Sequence, residues 1–264
     1  MVILITGITS GFGRAMAAQL NSDGHKVYGT FRRESDQIPG VTYLKADVRD
    51  PYAVNSVIDT VIRSEGRIDV FINNAGMGVG GPLEFTSIDD ARLQMDVNFM
   101  GMVQFLNCVV PVMRKQRHGH IICISSIGGL MGLPYQGMYS ASKFAIEGYC
   151  EAIRLEVRQF GIKVTVVNPG DFFTGFTAAR SKNLPPVALA VYPGYSASMA
   201  SIESDERSGL KPEYLARRIS RIIRKRRPRN RYIIATTVQK ASVLLKALLP
   251  AKWYDRILAS YYHL

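Results

Sequence analysis

Residues 2–6 are a short, uninterrupted apolar run that leads straight into Thr6-Gly7-Ile8-Thr9-Ser10-Gly11-Phe12-Gly13 and then an amphipathic stretch over residues 14–20. An apolar run without alternation suits a strand buried on both faces of a sheet. Strand, glycine turn and helix in that order point free backbone N–H groups and a helix dipole at a phosphate, and the glycines let the ligand come close. The same rhythm repeats down the chain. Apolar strands are expected at 26–31, 41–46, 68–72, 119–125, 162–167 and 232–235. Helical patterns separate them at 51–64, 87–117, 139–160 and 212–226. Strands alternating with helices give an α/β, Rossmann-type doubly wound parallel sheet of about seven strands. Ligands bind such sheets at the carboxyl ends of the strands.

The second strand ends at Phe31-Arg32-Arg33. In a dinucleotide fold this end meets the adenosine ribose, where an acid binds a 2′-hydroxyl and arginine suits a 2′-phosphate. With no acid in the first two places after Phe31, NADP(H) is favoured and NAD(H) is the alternative. Asn98 falls inside a long helical pattern, where asparagine is a poor residue, and can mark a kink.

Tyr139-Ser-Ala-Ser-Lys143 places a phenol and an ammonium on one helix face. A free phenol titrates near ~10, and a nearby ammonium favours the phenolate. Ser126, at the end of the fifth strand, would face that pair across a site for proton exchange at a carbonyl or alcohol oxygen.

Five features, in order, resemble the short-chain dehydrogenase/reductase family: Thr6-Gly7-x-x-x-Gly11-x-Gly13, Asn73-Asn74-Ala75-Gly76, Asn98 with Gly101, Ser126 with Tyr139-x-x-x-Lys143, and Pro169-Gly170-x-x-x-Thr174. The resemblance covers about residues 1–235 and implies a bound nicotinamide dinucleotide. It puts Gly7, Gly11 and Gly13 at the pyrophosphate and Asp47 and Val48 at the adenine, with Ser10 and Phe12 among the cofactor-binding residues, although Ser10 is not the basic residue that often anchors a second phosphate. Asn74, Ala75 and Gly76 would support the ribose, and Pro169, Gly170 and Thr174 would border the nicotinamide. Asn98, Ser126, Tyr139 and Lys143 correspond to the catalytic tetrad. In that scheme Ser126 polarises the substrate carbonyl, Tyr139 donates the proton, and Lys143 stabilises the tyrosinate and holds ribose hydroxyls. Asn98 would position a water beside Lys143. The resemblance also implies a homodimer paired through the helices at 87–117 and 139–160. The order of motifs and the long tail are similar to the branch holding 17-beta-hydroxysteroid and retinol dehydrogenases.

Beyond Thr174 the pattern is irregular, and residues 175–210 read as a substrate lid. Leu130, Met131, Leu133, Phe172, Phe173, Phe176, Tyr192 and Tyr195 are the expected wall of an apolar pocket, with few charges to bind a carboxylate or phosphate. A steroid, retinoid, fatty or aromatic ketone or alcohol fits best. No metal is expected.

The formal net charge of +12 is confined to the end of the chain: residues 1–210 hold 19 Lys/Arg and 19 Asp/Glu, and residues 211–264 hold 14 and 2. Residues 236–264 read as an amphipathic, basic, aromatic-bearing helical extension. Such a tail can pack over the substrate cleft or a neighbouring subunit, or lie on an anionic membrane. Nucleic acid is a poor match, because the basic helix at 212–226 lacks interleaved stacking aromatics. The other class of function compatible with these features is a dinucleotide-binding scaffold or redox sensor tethered through the tail. Cys108, Cys123 and Cys150 lie in apolar segments and read as reduced thiols, which suits a cytoplasmic location, peripheral to a membrane if the tail docks there. Neither a cleaved leader nor an apolar run long enough to span a bilayer is expected.

Overall fold

The computed structural model of the chain describes residues 1–181, 184–262 and 264. In chain order the elements are β1 (Val2–Ile5), α1 (Gly11–Ser22), β2 (Lys26–Phe31), β3 (Val41–Lys45), α2 (Pro51–Glu65), β4 (Val70–Asn73), α3 (Ile88–Met95), α4 (Gly101–Gln116), β5 (Gly119–Ile124) and α5 (Gly137–Val157). There follow β6 (Ile162–Pro169), α6 (Phe176–Ala179), α7 (Pro186–Val191), α8 (Tyr195–Ser208), α9 (Pro212–Ile223), β7 (Arg231–Ile234), α10 (Thr237–Leu248) and α11 (Ala251–Tyr261). The seven strands form one sheet in the order β3-β2-β1-β4-β5-β6-β7, with every pairing parallel.

Alternate side chains of each strand serve opposite faces. Leu4, Phe71, Ile121 and Val164 pack with Val57, Phe105 and Ile146 of α2, α4 and α5. Ile3, Ile5, Ile72 and Ile122 pack with Met16 and Leu20 of α1 and with Leu215 and Ile219 of α9. Each fully buried Leu or Ile contributes about 1.5–3 kcal/mol. The register aligns the carboxyl ends: Ile5 sits beside Gly29 and Ile72, Asn73 beside Cys123, and Ile124 beside Val167. The motif-bearing turns therefore emerge along one edge.

Helix ends follow local chemistry. Asp50 caps α2 by accepting from the Tyr52 N–H at 2.9 Å, Pro51 opens its first turn, and Gly66 closes it at φ 70°. The kink expected at Asn98 is a single π turn, Asp96–Met100, between α3 and α4.

One expectation about the fold is corrected. The stretch 175–210 is helical: Pro186 starts α7 instead of breaking a helix, and Tyr195, Met199 and Ile202 of α8 recur at helical spacing on a buried face. Residues 182 and 183 of that stretch lie outside the described residues, as does residue 263 of the tail. Among the described residues one helix, the joined Ile88–Gln116, reaches the length and mean hydropathy, 1.3, of a membrane span. Met102, Phe105, Val109 and Met113 of this helix are buried against the sheet. The basic residues of the last fifth of the chain are spread over several elements. Leu215, Ile219 and Ile222 bury one face of α9 while Arg217, Arg218 and Arg221 lie on its exposed side. The run 224–231 precedes β7 at the amino edge of the sheet, where Arg231 pairs with Glu147 and Glu151.

Within β5, His120 is buried with Nε2 2.9 Å from the Thr165 hydroxyl. That hydroxyl donates to the Arg229 carbonyl, so the imidazole carries its proton on Nε2. Burial, reinforced by Lys163, pushes its pKa down to about 4. The unfolded chain binds the extra proton near pH 6.5, so stability is full above that pH and falls as pH drops towards 4, by about 3 kcal/mol from this residue. Urea denaturation at pH 7 and pH 4.5 should show that loss, and His120→Gln should flatten it.

Candidate active site

The glycine turn is built on β1 and β2. Gly7, at φ +72°, donates its N–H to the Thr30 carbonyl, and Gly11 begins α1 at φ +51°. A Cβ on Gly13 would stand 1.9 Å from the Gly7 carbonyl oxygen, so only glycine lets α1 approach β1 this closely. The Ser10 side chain does not cap α1, leaving the first-turn N–H groups to the crevice. Asn74 clamps the turn from β4: its side chain donates to the carbonyls of Thr6 and Gly7 at 2.9 and 3.0 Å, and the Thr6 hydroxyl accepts from the Asn74 and Ala75 N–H groups.

A continuous cavity of about 880 Å³ begins here. Of the expected dinucleotide-binding residues, Gly7, Ser10, Gly11, Phe12, Arg32, Arg33, Asp47, Val48, Asn74, Ala75, Gly76, Pro169, Gly170 and Thr174 line it. Gly13 does not; it is the packing contact beneath the turn. Asp47 is held below the usual carboxylate range by Arg49, whose Nη2 lies 2.6 Å away, with Arg32 a smaller influence. A cradle of uncapped N–H groups, a glycine that tolerates no side chain, and two arginines at the end of β2 fit a dinucleotide. When bound, a nicotinamide would supply hydride chemistry next to Tyr139.

Ser126, Tyr139 and Lys143 line the same cavity. Ser126, in extended backbone at the end of β5, accepts from the Gly128 N–H at 3.0 Å, which fixes its hydroxyl towards α5. The Tyr139 ring leans on Phe176, with centroids 5.4 Å apart. Lys143 donates to the Ile124 carbonyl at 3.0 Å and sits 5.7 Å from the Tyr139 ring centroid. The expected lowering of the phenol by this ammonium does not occur. Desolvation dominates and pushes Tyr139 up to about 12, while Ser126 pulls the other way. Burial also brings Lys143 down to about 8, against the pull of Cys123 and Glu147. At neutral pH the site therefore holds a neutral phenol and an ammonium, the state that can donate a proton to a forming alkoxide.

The direct hydrogen bonds of Asn98 go to Met77 and Ser142. Its amide accepts from the Met77 N–H at 2.8 Å and donates to the Met77 carbonyl and the Ser142 hydroxyl, each at 3.0 Å. Ser142 in turn donates to the Tyr139 carbonyl at 2.7 Å. Asn98 is thus a positioning residue that joins the loop after β4 to the helix carrying the acid. Behind Ser126 stands a network with no sequence signal: Asn168 donates to the Ser126 carbonyl and to Glu147, and Glu147 pairs with Arg231.

On the substrate side, Met131, Leu133, Phe172 and Phe176 line the cavity. Leu130, Phe173, Tyr192 and Tyr195 do not. Leu130 offers its carbonyl to Lys246, and Phe173 faces a separate open groove along α1. Tyr192 bonds Glu84, and Tyr195 packs against Tyr135 in a cluster with Met199, Ile202 and Tyr262. In their place α10 and α11 supply Val238, Gln239, Leu245, Tyr254, Ile257 and Tyr261 as a roof. The wall is also not uniformly apolar. Asp171, Asp205 and Glu206 line the cavity. Asp171 accepts from Gln239 at 2.5 Å and is raised to about 6 by burial and by the two neighbouring carboxylates. Asp205 accepts from the Tyr261 hydroxyl at 2.6 Å, and Glu206 pairs with the buried Arg180. Asp171 follows the Pro169-Gly170 motif directly, a clue the sequence did carry; Asp205 and Glu206 look like solvated helix surface.

A parallel sheet with a glycine turn on β1 and a Ser/Tyr/Lys site at its carboxyl edge defines a dinucleotide-dependent oxidoreductase acting on alcohols or carbonyls. The comparisons with known proteins agree: residues 1–185 match the short chain dehydrogenase family model, and the chain belongs to the short-chain dehydrogenase/reductase family. It is similar to the 3-ketodihydrosphingosine reductase of Bacteroides thetaiotaomicron, 45% identical over 262 residues that span 99% of this chain and 97% of that protein. Human retinol dehydrogenase 8 is 36% identical over 204 residues, 73% of this chain and 64% of that one. Among solved structures, a short-chain dehydrogenase/reductase from Burkholderia phymatum in complex with NAD is 26% identical with a TM-score of 0.81, covering 94% of this chain and 92% of that one.

Tyr139→Phe should lower carbonyl reduction about 10²–10⁴-fold while leaving dinucleotide affinity nearly unchanged, as read by steady-state rates and fluorescence titration. In wild type, kcat/KM for reduction should fall as pH rises through about 8, because Lys143 loses its proton there well before the phenol does.

Proposed function

We propose that the protein is an NADP(H)-dependent reductase of long-chain 2-amino-3-ketones of the sphingoid-base kind, with Tyr139 as proton donor and Ser126 as the carbonyl's hydrogen-bond partner. The observation that carries this reading is the cavity itself. It joins the Ser126/Tyr139 pair to three carboxylates, Asp171, Asp205 and Glu206, and continues into an apolar chamber lined by Met131, Leu133, Leu245, Ile257 and Leu258. A ketone flanked by an ammonium and followed by a long alkyl chain has those three demands. A steroid or retinoid has no cation to place beside these carboxylates, so it would leave their side of the cavity without a complementary group. The likeness to a 3-ketodihydrosphingosine reductase over nearly the whole chain supports the same substrate class. Arg32 and Arg33, at the end of β2 and on the cavity wall, support a 2′-phosphate.

Asp171 is mostly ionised above pH 6 and would attract the substrate ammonium there. Asp171→Asn should raise KM for a 2-amino-3-ketone about ten- to a hundredfold and leave KM for the deaminated ketone unchanged. In wild type the preference for the amino substrate should weaken as pH falls below about 6. Equal KM shifts for both ketones would remove the ammonium from the account. Separately, Arg32→Ala should raise KM for NADPH about tenfold or more and leave KM for NADH in place; equal use of NADPH by both proteins would contradict the cofactor assignment.

A further inference from the structure

Cavity-lining residues of α10 and α11 also reach the surface, and this rim is apolar in a way the core does not require. Val238, Leu245, Ile257 and Tyr261 line the cavity and are nevertheless 75%, 40%, 49% and 50% exposed. Outside them Leu244, Leu248 and Trp253 are 60%, 70% and 62% exposed. On α10 the pair Leu244/Leu248, and on α11 the pair Trp253/Ile257, are four residues apart, so each helix turns one apolar face outward. The same hairpin is fastened to the protein by polar contacts. Gln239 donates to Asp171, Lys246 to the Leu130 carbonyl at 2.6 Å, and the hydroxyls of Tyr254 and Tyr261 reach Met131 and Asp205. The outward face is thus held in place rather than left over from fraying.

Residues 236–264 carry Lys240, Lys246, Lys252 and Arg256 against a single acid, Asp255. Lys240, Lys252 and Arg256 are exposed around the apolar rim. Two observations choose the occupant of this face. A second copy placed on it by two-fold symmetry would bring these like charges together and would stopper the cavity. An anionic lipid surface neutralises the charges and joins the apolar rim to a phase in which an alkyl-chain substrate is dissolved.

We propose that α10 and α11 form a membrane-docking face that seats the cavity mouth on an anionic bilayer, so that a lipid-like ketone passes between lipid and active site without crossing water. The use of the mouth as a lipid port rests on the sphingoid-ketone reading; the docking does not.

The full-length protein, without substrate, is floated with vesicles of phosphatidylcholine alone or with about one-third phosphatidylglycerol, at low and high salt. Wild type should float with the anionic vesicles and several-fold less with neutral ones or at high salt. The double variant Leu248→Asp/Trp253→Asp should lose at least about tenfold of that binding, yet reduce a short water-soluble ketone at the wild-type rate. If that variant melts early, Lys252→Glu/Arg256→Glu decides, and it should weaken anionic-vesicle binding with an unchanged melting temperature. The proposal is overturned if wild type does not float, if flotation survives the substitutions in whichever variant folds, or if the apolar variant instead converts a lipid-free dimer to monomer. Flotation without turnover of the amino-ketone would refute the substrate reading alone, and turnover without flotation would refute the docking alone.

Discussion

The hydrogen bond from the Lys143 ammonium to the Ile124 carbonyl holds the site together. A cation buried this deeply is costly unless it finds an acceptor, and the acceptor it finds is the last carbonyl of β5. That bond fixes α5 against the carboxyl edge of the sheet, and so fixes where Tyr139 stands relative to Ser126 and to the glycine turn. Beside it, burial governs the electrostatics: desolvation keeps the Tyr139 phenol protonated far above neutral pH. The pair therefore rests at neutral pH as a protonated phenol beside an ammonium.

The substrate side is assembled from parts of the chain that have no role in the sheet. The loop after β6 brings Asp171, α8 brings Asp205 and Glu206, and α10 with α11 close the space above them. These parts hold one another through a few polar contacts: Gln239 with Asp171, Tyr261 with Asp205, and Arg180 with Glu206. Each contact uses a carboxylate that also faces the cavity. A cationic substrate would compete for the same groups that secure the roof, which couples binding to how tightly the tail closes.

The sheet, and the placing of Ser126, Tyr139 and Lys143 on one cavity, were legible because their signals are local. A glycine turn after an apolar run, or a tyrosine and lysine one helical turn apart, has its geometry written within a few residues. What sequence reading missed depends on long-range packing. Tyr192 and Tyr195 have the composition of a pocket wall, but α8 turns them towards Tyr135 and Tyr262 instead. Asn98 marks a kink correctly, yet its partners, Met77 and Ser142, are visible only once the loop after β4 folds back. The phenol–ammonium argument failed for a similar reason: spacing on a helix sets proximity, but burial decides which effect on the pKa wins.

The most direct measurement is an NMR titration of the chain carrying ¹³C at tyrosine Cζ, with the Tyr139 signal assigned by its loss in Tyr139→Phe. The account predicts that this signal stays at the protonated position through pH 10, the ordinary phenol value. A Tyr139 that ionised near neutral pH would show that the ammonium, and not burial, governs the acid, and would contradict it.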